Sequence, residues 1–470
     1  MSDSFAINNY RFEEIKSKYL VTTDHGSFVF LNKNDFNLLR DEKIKENSKL
    51  FKLLEEKGVV ITESNENKII EEFRNKNSFL FQGTSLHIVI PTLRCNMKCV
   101  YCHASSRPIN SRGFDMDKNT AKKTVDFIFQ SPSKAITIEF QGGEPLLNFE
   151  IIKFVVDYAN KLNKKHKKNL LFTVVTNLSL MDNKKLKFLM DNNVGICTSL
   201  DGPEKLHDRN RKLLGKSNYS YIVKWVSTIN KEYRKRKISR KLGALITITK
   251  ESLKYPKEIV DEYVKLGFDD IHLRFLNNLG DARPVWDSIS YSSGDFIGFW
   301  KKAVDYIIGL NKKGKKIKER MATIMLKKAF NKRDPGYLDL RSPCGAAIGQ
   351  LAYNYNGDIY TCDEARMIGE DLFKIGNVKN DKYKDVLTSN QVCSIISAST
   401  NEVYICDSCA FKPYCGVCPV CNYAEQGSII GKISETDRCG IFKAQFDYIF
   451  GELQDKKTKD ILIKWTKHHV

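Results

Sequence analysis

No apolar run in this 470-residue chain approaches the roughly 18–20 residues that cross a bilayer. The first residues, Met1-Ser2-Asp3-Ser4-Phe5, carry no basic stretch followed by an apolar one, as an export signal would. These two absences exclude a membrane protein and a typical secreted domain, and predict a cytoplasmic protein. With 42% hydrophobic and 28% charged residues the composition is that of a globular protein, neither fibrous nor disordered. The length suits about three domains of roughly 150 residues. Interleaved aromatics are missing from the lysine runs Lys164-Lys165-His166-Lys167-Lys168 and Lys312-Lys313-Gly314-Lys315-Lys316. The net charge of +20 therefore reads first as solvated faces, and only second as a nucleic-acid or acidic-peptide surface.

Cysteine is abundant, with 13 in a chain that is not exported, which points to metal ligation rather than disulfides. Cys95, Cys99 and Cys102 form a C-x3-C-x2-C loop after the apolar strand at 86–90. A zinc site or a four-cysteine cube would need a fourth ligand close by, and none follows. Three thiolates can hold one corner of an iron–sulfur cube and leave an iron open for chemistry. Eight cysteines lie in the C-terminal third: Cys344, Cys362, Cys406, Cys409, Cys415, Cys418, Cys421 and Cys439. Cys406-x2-Cys409 also suits zinc, and a zinc-ribbon nucleic-acid binder is the remote alternative. Cys393 stands alone, as does Cys197, which reads as a buried core thiol within an apolar run.

The first loop, with Tyr101 just before its third cysteine, resembles the radical S-adenosylmethionine (SAM) superfamily. Downstream, apolar strands near 85–90, 136–140, 171–176, 194–199, 243–248 and 270–275 alternate with lysine-rich amphipathic helices. Six such units resemble the partial (β/α)6 TIM-type barrel of that superfamily, whose chemistry sits at the C-terminal strand ends. Gln141-Gly142-Gly143-Glu144-Pro145 resembles the glycine-rich motif that meets the amino group of SAM, glycine allowing close approach of the backbone. Thr176-Asn177 and Ser199-Leu200-Asp201-Gly202-Pro203 end the next two strands, and resemble segments lining the SAM ribose and carboxylate. Arg211 and Arg274 complete the implied cofactor set, although an isolated Ser or Asn at a strand end is usually a helix cap. The resemblance implies SAM cleavage to a 5′-deoxyadenosyl radical that abstracts a substrate hydrogen. The protein's part is to bind, orient and exclude water.

Cys344, Gly357 and Cys362 bracket a hairpin that turns at Asn356-Gly357, and Cys406-x2-Cys409-x5-Cys415 follows. This resembles the SPASM domain, which implies two auxiliary 4Fe–4S clusters and three clusters in all. The resemblance assigns Cys344, Cys362, Cys418 and Cys421 to the first, and Cys406, Cys409, Cys415 and Cys439 to the second. The choice between Cys418 and Cys421 stays open, because the family's cysteine position falls on Pro419. Asp363, directly after Cys362, is the candidate catalytic base by similarity to anaerobic sulfatase maturases. Glu364 as the base, or a salt bridge from Asp363 to Arg366, is the alternative.

The strand–turn–strand at 19–31 and the helices that follow resemble a RiPP recognition element, a leader-binding α+β module. Taken end to end, the chain resembles the B-type radical SAM maturases of the His-Xaa-Ser peptide system. The expected order is a leader-binding-like domain at 1–80, a radical SAM partial barrel at 81–335, a SPASM domain at 336–450 and a tail at 451–470. The implied reaction is a side-chain cross-link in a ribosomally made precursor peptide, with oxidation of a Ser or Cys side chain as the alternative. The implied partners are that peptide and a one-electron donor such as a flavodoxin or ferredoxin, with room for a second maturase. No membrane is involved.

Overall fold

The computed structural model describes residues 5–213 and 215–467. Met1–Ser4, which belong to the expected leader-binding domain and to the export-signal reading, lie outside the described residues, as do the last three residues of the expected tail. Near the N-terminus, β1 (Tyr10–Ile15), β2 (Lys18–Thr23) and β3 (Phe28–Leu31) form an antiparallel sheet with β2 in the middle. The expected hairpin is β2–β3, turning at Gly26 with φ of +82°. β1 is an additional strand. Its alternation is masked by Arg11, a charged residue on the buried face, which pairs with Asp24 at 2.7 Å and Asp407 at 3.1 Å. Asn32 caps α1 (Lys33–Arg40) by accepting from the Asp35 amide at 2.9 Å, and Ser48 caps α2 (Lys49–Glu56). Val21, Val29, Phe36, Leu39, Phe51 and Leu54 close this unit's core.

Six parallel strands follow: β4 (Leu86–Thr92), β5 (Ala135–Gly142), β6 (Asn169–Thr176), β7 (Val194–Ser199), β8 (Gly243–Thr247) and β9 (Leu273–Arg274). They pair side by side in chain order, all parallel. Ile136, Ile138 and Phe140 are fully buried in one core with Ile152, Val155 and Val156 of α3 (Phe149–His166). Thr137, Glu139 and Gln141 alternate with them and face the barrel interior. The expected sixth strand is split, since Asp270–Ile271 pairs instead with Lys318–Glu319.

The sheet continues beyond the barrel. β10 (Gln350–Tyr353) joins the free edge of β4 in parallel, with Leu351 opposite His87. β11 (Asp358–Tyr360) and β12 (Lys374–Asn377) extend it to nine strands. C-terminal helices α4 (Asp363–Ile368), α5 (Pro419–Gln426), α6 (Asp437–Glu452) and α7 (Lys456–Lys467) complete the molecule. Phe450 of α6 meets Phe28 at 5.1 Å, and Thr22 donates to the Ala410 carbonyl at 2.7 Å, so the N- and C-terminal parts are packed together. Among the described residues no helix is long and apolar enough to cross a membrane.

Candidate active site and cysteine sets

The loop carrying Cys95, Cys99 and Cys102 leaves the end of β4 and is held by the ends of its neighbours. The Gly143 amide donates to the Thr92 carbonyl at 3.0 Å, and the Glu144 amide to the Arg94 carbonyl at 2.8 Å. A Cβ at Gly142 would stand 2.3 Å from the Thr92 carbonyl oxygen, and one at Gly143 would stand 2.2 Å from that of Arg94. The glycines thus have a nearer reason than approach to a ligand: they let β5 dock on the backbone of the cysteine loop. Glu144 is buried, and its carboxylate accepts from the Thr176 hydroxyl at 2.7 Å and from the Asn177 and Leu146 amides at 2.8 and 3.1 Å. Burial raises its pKa to about 7. Asn177 donates in turn to Asn96 at 3.0 Å, inside the cysteine loop.

The far side of the loop rests on a buried charge pair. Tyr101 donates to Asp201 at 2.5 Å, and Arg211 Nε lies 3.2 Å from the other Asp201 oxygen without the alignment of a hydrogen bond. The Arg211 guanidinium sits 5.2 Å from the Tyr101 ring and reaches Cys99 Sγ at 3.9 Å. Burial still pushes the Cys99 thiol up to about 12. Ser199, 8% exposed, ends β7.

Arg274 ends β9 with no ion pair within 4.0 Å among the described residues, and faces Tyr337, Asp339 and Glu364. Together with Arg438 these line a cavity of about 20 Å³, room for about one water. Glu139 accepts from Gln141 at 2.6 Å and from Thr173 at 2.9 Å inside the barrel, and burial raises its pKa. Glu139 and Gln141 carry no role in the resemblance beyond the place of Gln141 at the start of the glycine-rich motif. Their polar alternation within Ile136-Thr137-Ile138-Glu139-Phe140-Gln141 was the signal for an interior face. Cys197 shares that face. It is largely buried, as expected, with Glu139 and Arg274 nearby, and burial pushes its thiol up to about 12.

The C-terminal cysteines fall into two sets. Cys418 is within hydrogen-bonding range of Cys344 and Cys421, with Cys362 close by. Cys362 and Cys418 each cap a helix, accepting from the Ala365 amide at 3.3 Å and the Cys421 amide at 3.4 Å. Cys406, Cys409, Cys415 and Cys439 are mutual neighbours elsewhere. Among the described residues no three His, Cys, Asp or Glu side chains gather as tightly as a single ion requires. Two sets of four thiols fit a four-iron cube better, since its ligands bind different irons. Both Cys418 and Cys421 fall in the first set. Asp363 is buried in an ion pair with Arg366 at 2.8 Å, and Arg366 also donates to the Ala104 carbonyl just past the first loop. Glu364, by contrast, lines the cavity beside Arg274.

Residues 89–263 match the Radical SAM superfamily, and residues 344–410 match the SPASM iron–sulfur cluster-binding domain. A cysteine-type anaerobic sulfatase-maturating enzyme of Clostridium perfringens is 25% identical over 378 residues, spanning 76% of this chain and 94% of that protein. The radical SAM cyclopropyl synthase TigE of Paramaledivibacter caminithermalis is 26% identical over 230 residues, 44% of this chain and 43% of that protein. The solved structure of native anSMEcpe with bound AdoMet superposes with a TM-score of 0.66 at 20% identity, covering 81% of this chain and 99% of that one. Streptococcus suis SuiB bound to precursor peptide SuiA superposes with a TM-score of 0.54 at 14% identity, covering 91% and 98%. With a radical SAM domain and a SPASM domain joined through one nine-stranded sheet, the chain is a radical SAM/SPASM enzyme.

Proposed function

We propose that this enzyme cross-links side chains of a ribosomally made peptide, in the manner of the B-type maturases of the His-Xaa-Ser system. Cys95, Cys99 and Cys102 would hold the cluster that binds SAM, which supplies a hydrogen-abstracting 5′-deoxyadenosyl radical. Tyr101, Gly142, Gly143, Glu144, Thr176, Asn177, Asp201 and Arg211 support that loop and, with Ser199 and Arg274 at the ends of β7 and β9, are the residues that would meet SAM. Cys344, Cys362, Cys418 and Cys421, and separately Cys406, Cys409, Cys415 and Cys439, would hold two auxiliary clusters. A one-electron donor of the flavodoxin or ferredoxin kind would reduce the first cluster.

The N-terminal unit is the observation that carries the peptide reading. SuiB bound to precursor peptide SuiA spans 91% of the chain, and anSMEcpe, also solved with a bound peptide, spans 81%. An open sheet edge is the kind of surface on which a leader strand adds. Oxidation of a Ser or Cys side chain is the second reading, supported by the 25% identity across 94% of a cysteine-type maturase. A cross-link and an aldehyde made from Ser both leave the peptide two hydrogens lighter, whereas an aldehyde made from Cys loses two hydrogens and then exchanges sulfur for oxygen, releasing hydrogen sulfide.

The test is to incubate the anaerobically reconstituted enzyme with SAM, reductant and a synthetic peptide carrying His-Xaa-Ser repeats, then fragment the product. A ring suppresses backbone fragments between the joined residues, and this is the expected result. A full fragment ladder with a hydrazide-reactive aldehyde would favour the oxidation reading instead.

A further inference from the structure

The start of α6 sends two neighbouring side chains to different cysteine sets. Cys439 goes to the set with Cys406, Cys409 and Cys415. Arg438 turns to the other set and donates from Nη1 to Cys421 Sγ at 3.4 Å. Its guanidinium is sealed in, 7% exposed and 5.0 Å from the Phe442 ring. Among the described residues its one carboxylate within 4.0 Å is Asp339, at 3.3 Å, with Glu364 and Glu425 farther off, and its Nε and Nη2 find no hydrogen-bond partner. A buried cation with unmet donors is costly unless a larger negative charge stands beside it. Four thiolates around an iron cube would be such a charge. A cation and an N–H bonded to a ligand sulfur both favour the reduced, more negative form of a cluster.

We propose that Arg438 is a positioning residue that raises the electron affinity of a cluster held by Cys344, Cys362, Cys418 and Cys421, with Asp339 opposing it. The inference rests on reading those four cysteines as ligands. It gives the two charges opposite effects, which a packing role would not do.

The test uses the full-length chain with Cys95→Ala, Cys99→Ala and Cys102→Ala, reconstituted so that only the C-terminal clusters report. Potentiometric titrations followed by electron paramagnetic resonance compare that protein with added R438Q, R438K and D339N. In R438Q the reduced-to-oxidised ratio of the first auxiliary cluster at the reference midpoint falls at least tenfold, 59 mV for one electron. D339N moves it the other way, R438K lies between, and the second cluster stays put. An unmoved midpoint in a fully loaded R438Q, or shifts of one sign in R438Q and D339N, overturns the proposal. Loss of about four irons from R438Q but not R438K supports a role for the charge, whereas loss from both overturns it. Iron missing from the reference protein itself would sink the ligand reading beneath the proposal, and the proposal with it. That outcome is distinguishable because it is read as absent metal rather than as an unmoved midpoint.

Discussion

Replacing Gly143 with alanine should disable the first cysteine loop while leaving the rest of the molecule folded. The added Cβ would lie 2.2 Å from the Arg94 carbonyl oxygen and 2.4 Å from that of Leu93, against ordinary contacts of 3.4–4 Å. The atoms it meets are backbone, so no side-chain rotation relieves the overlap, and the loop must move by about 1 Å. Cys95 follows Arg94 directly and moves with it. A displacement of that size in a reactive site costs on the order of 100-fold in rate. Any iron lost should come from the first loop alone, less than about four per chain, with the C-terminal sets still loaded. Formation of 5′-deoxyadenosine from SAM should fall by about two orders of magnitude. Gly113→Ala is the control, since nothing lies within 4 Å of its Cβ and the residue meets only the strain of φ +80°, about 1–2 kcal/mol. A Gly143→Ala enzyme with a full iron complement and an unchanged rate would refute the reasoning.

Wild-type protein should hold about 12 irons, and Cys406→Ala with Cys439→Ala about 8; iron and sulfide assays showing about 4 in the wild type would remove the auxiliary clusters from the account. Asp363→Ala strands Arg366 in a buried site and should cost roughly 3–5 kcal/mol by denaturant unfolding, whereas Glu364→Gln should cost far less; equal losses would refute the assignment of Asp363 to that pair. Burial raises Glu319 from 4.5 to about 7, so the folded chain holds this proton more tightly than the unfolded one. Its contribution is full below pH 4.5 and is lost as pH rises through 7, a change of about 3 kcal/mol that should be absent from the stability–pH profile of Glu319→Gln; parallel profiles would contradict it.

What could be read from the sequence was local. The barrel strands announced themselves because apolar residues recur every second position, as in Ile136, Ile138 and Phe140. In the C-terminal third the cysteine spacing left the partners of Cys418 and Cys421 open, and the structure puts Cys418 beside both Cys344 and Cys421. What escaped was set by distant partners. β1 was hidden because Arg11 occupies a buried position that makes sense only once Asp407, 396 residues away, is beside it. The interior role of Glu139 needed the facing wall of the barrel, and the glycine pair needed the loop it docks on. The tail at 451–470 gave no cue to its tertiary role, yet α7 buries Leu462 and Trp465.

The excess of positive charge acquires a partial physical account from the same geometry. A buried thiol resists losing its proton, as the values of about 12 for Cys99 and Cys415 express, yet only thiolates bind iron. Each cysteine set has something positive against it. Arg211 reaches Cys99. Arg438 and two helix N-termini serve the set around Cys418. Lys412 lowers the cost of ionising Cys406, and Lys443 does so for Cys409 and Cys439. Other lysines pair with acids on exposed helix faces, as Lys122 does with Asp126. Cations placed where thiolates must form explain part of the charge of +20 without any nucleic acid. They also predict that iron uptake by the unloaded chain becomes easier with rising pH, because each ligand must give up a proton before it binds.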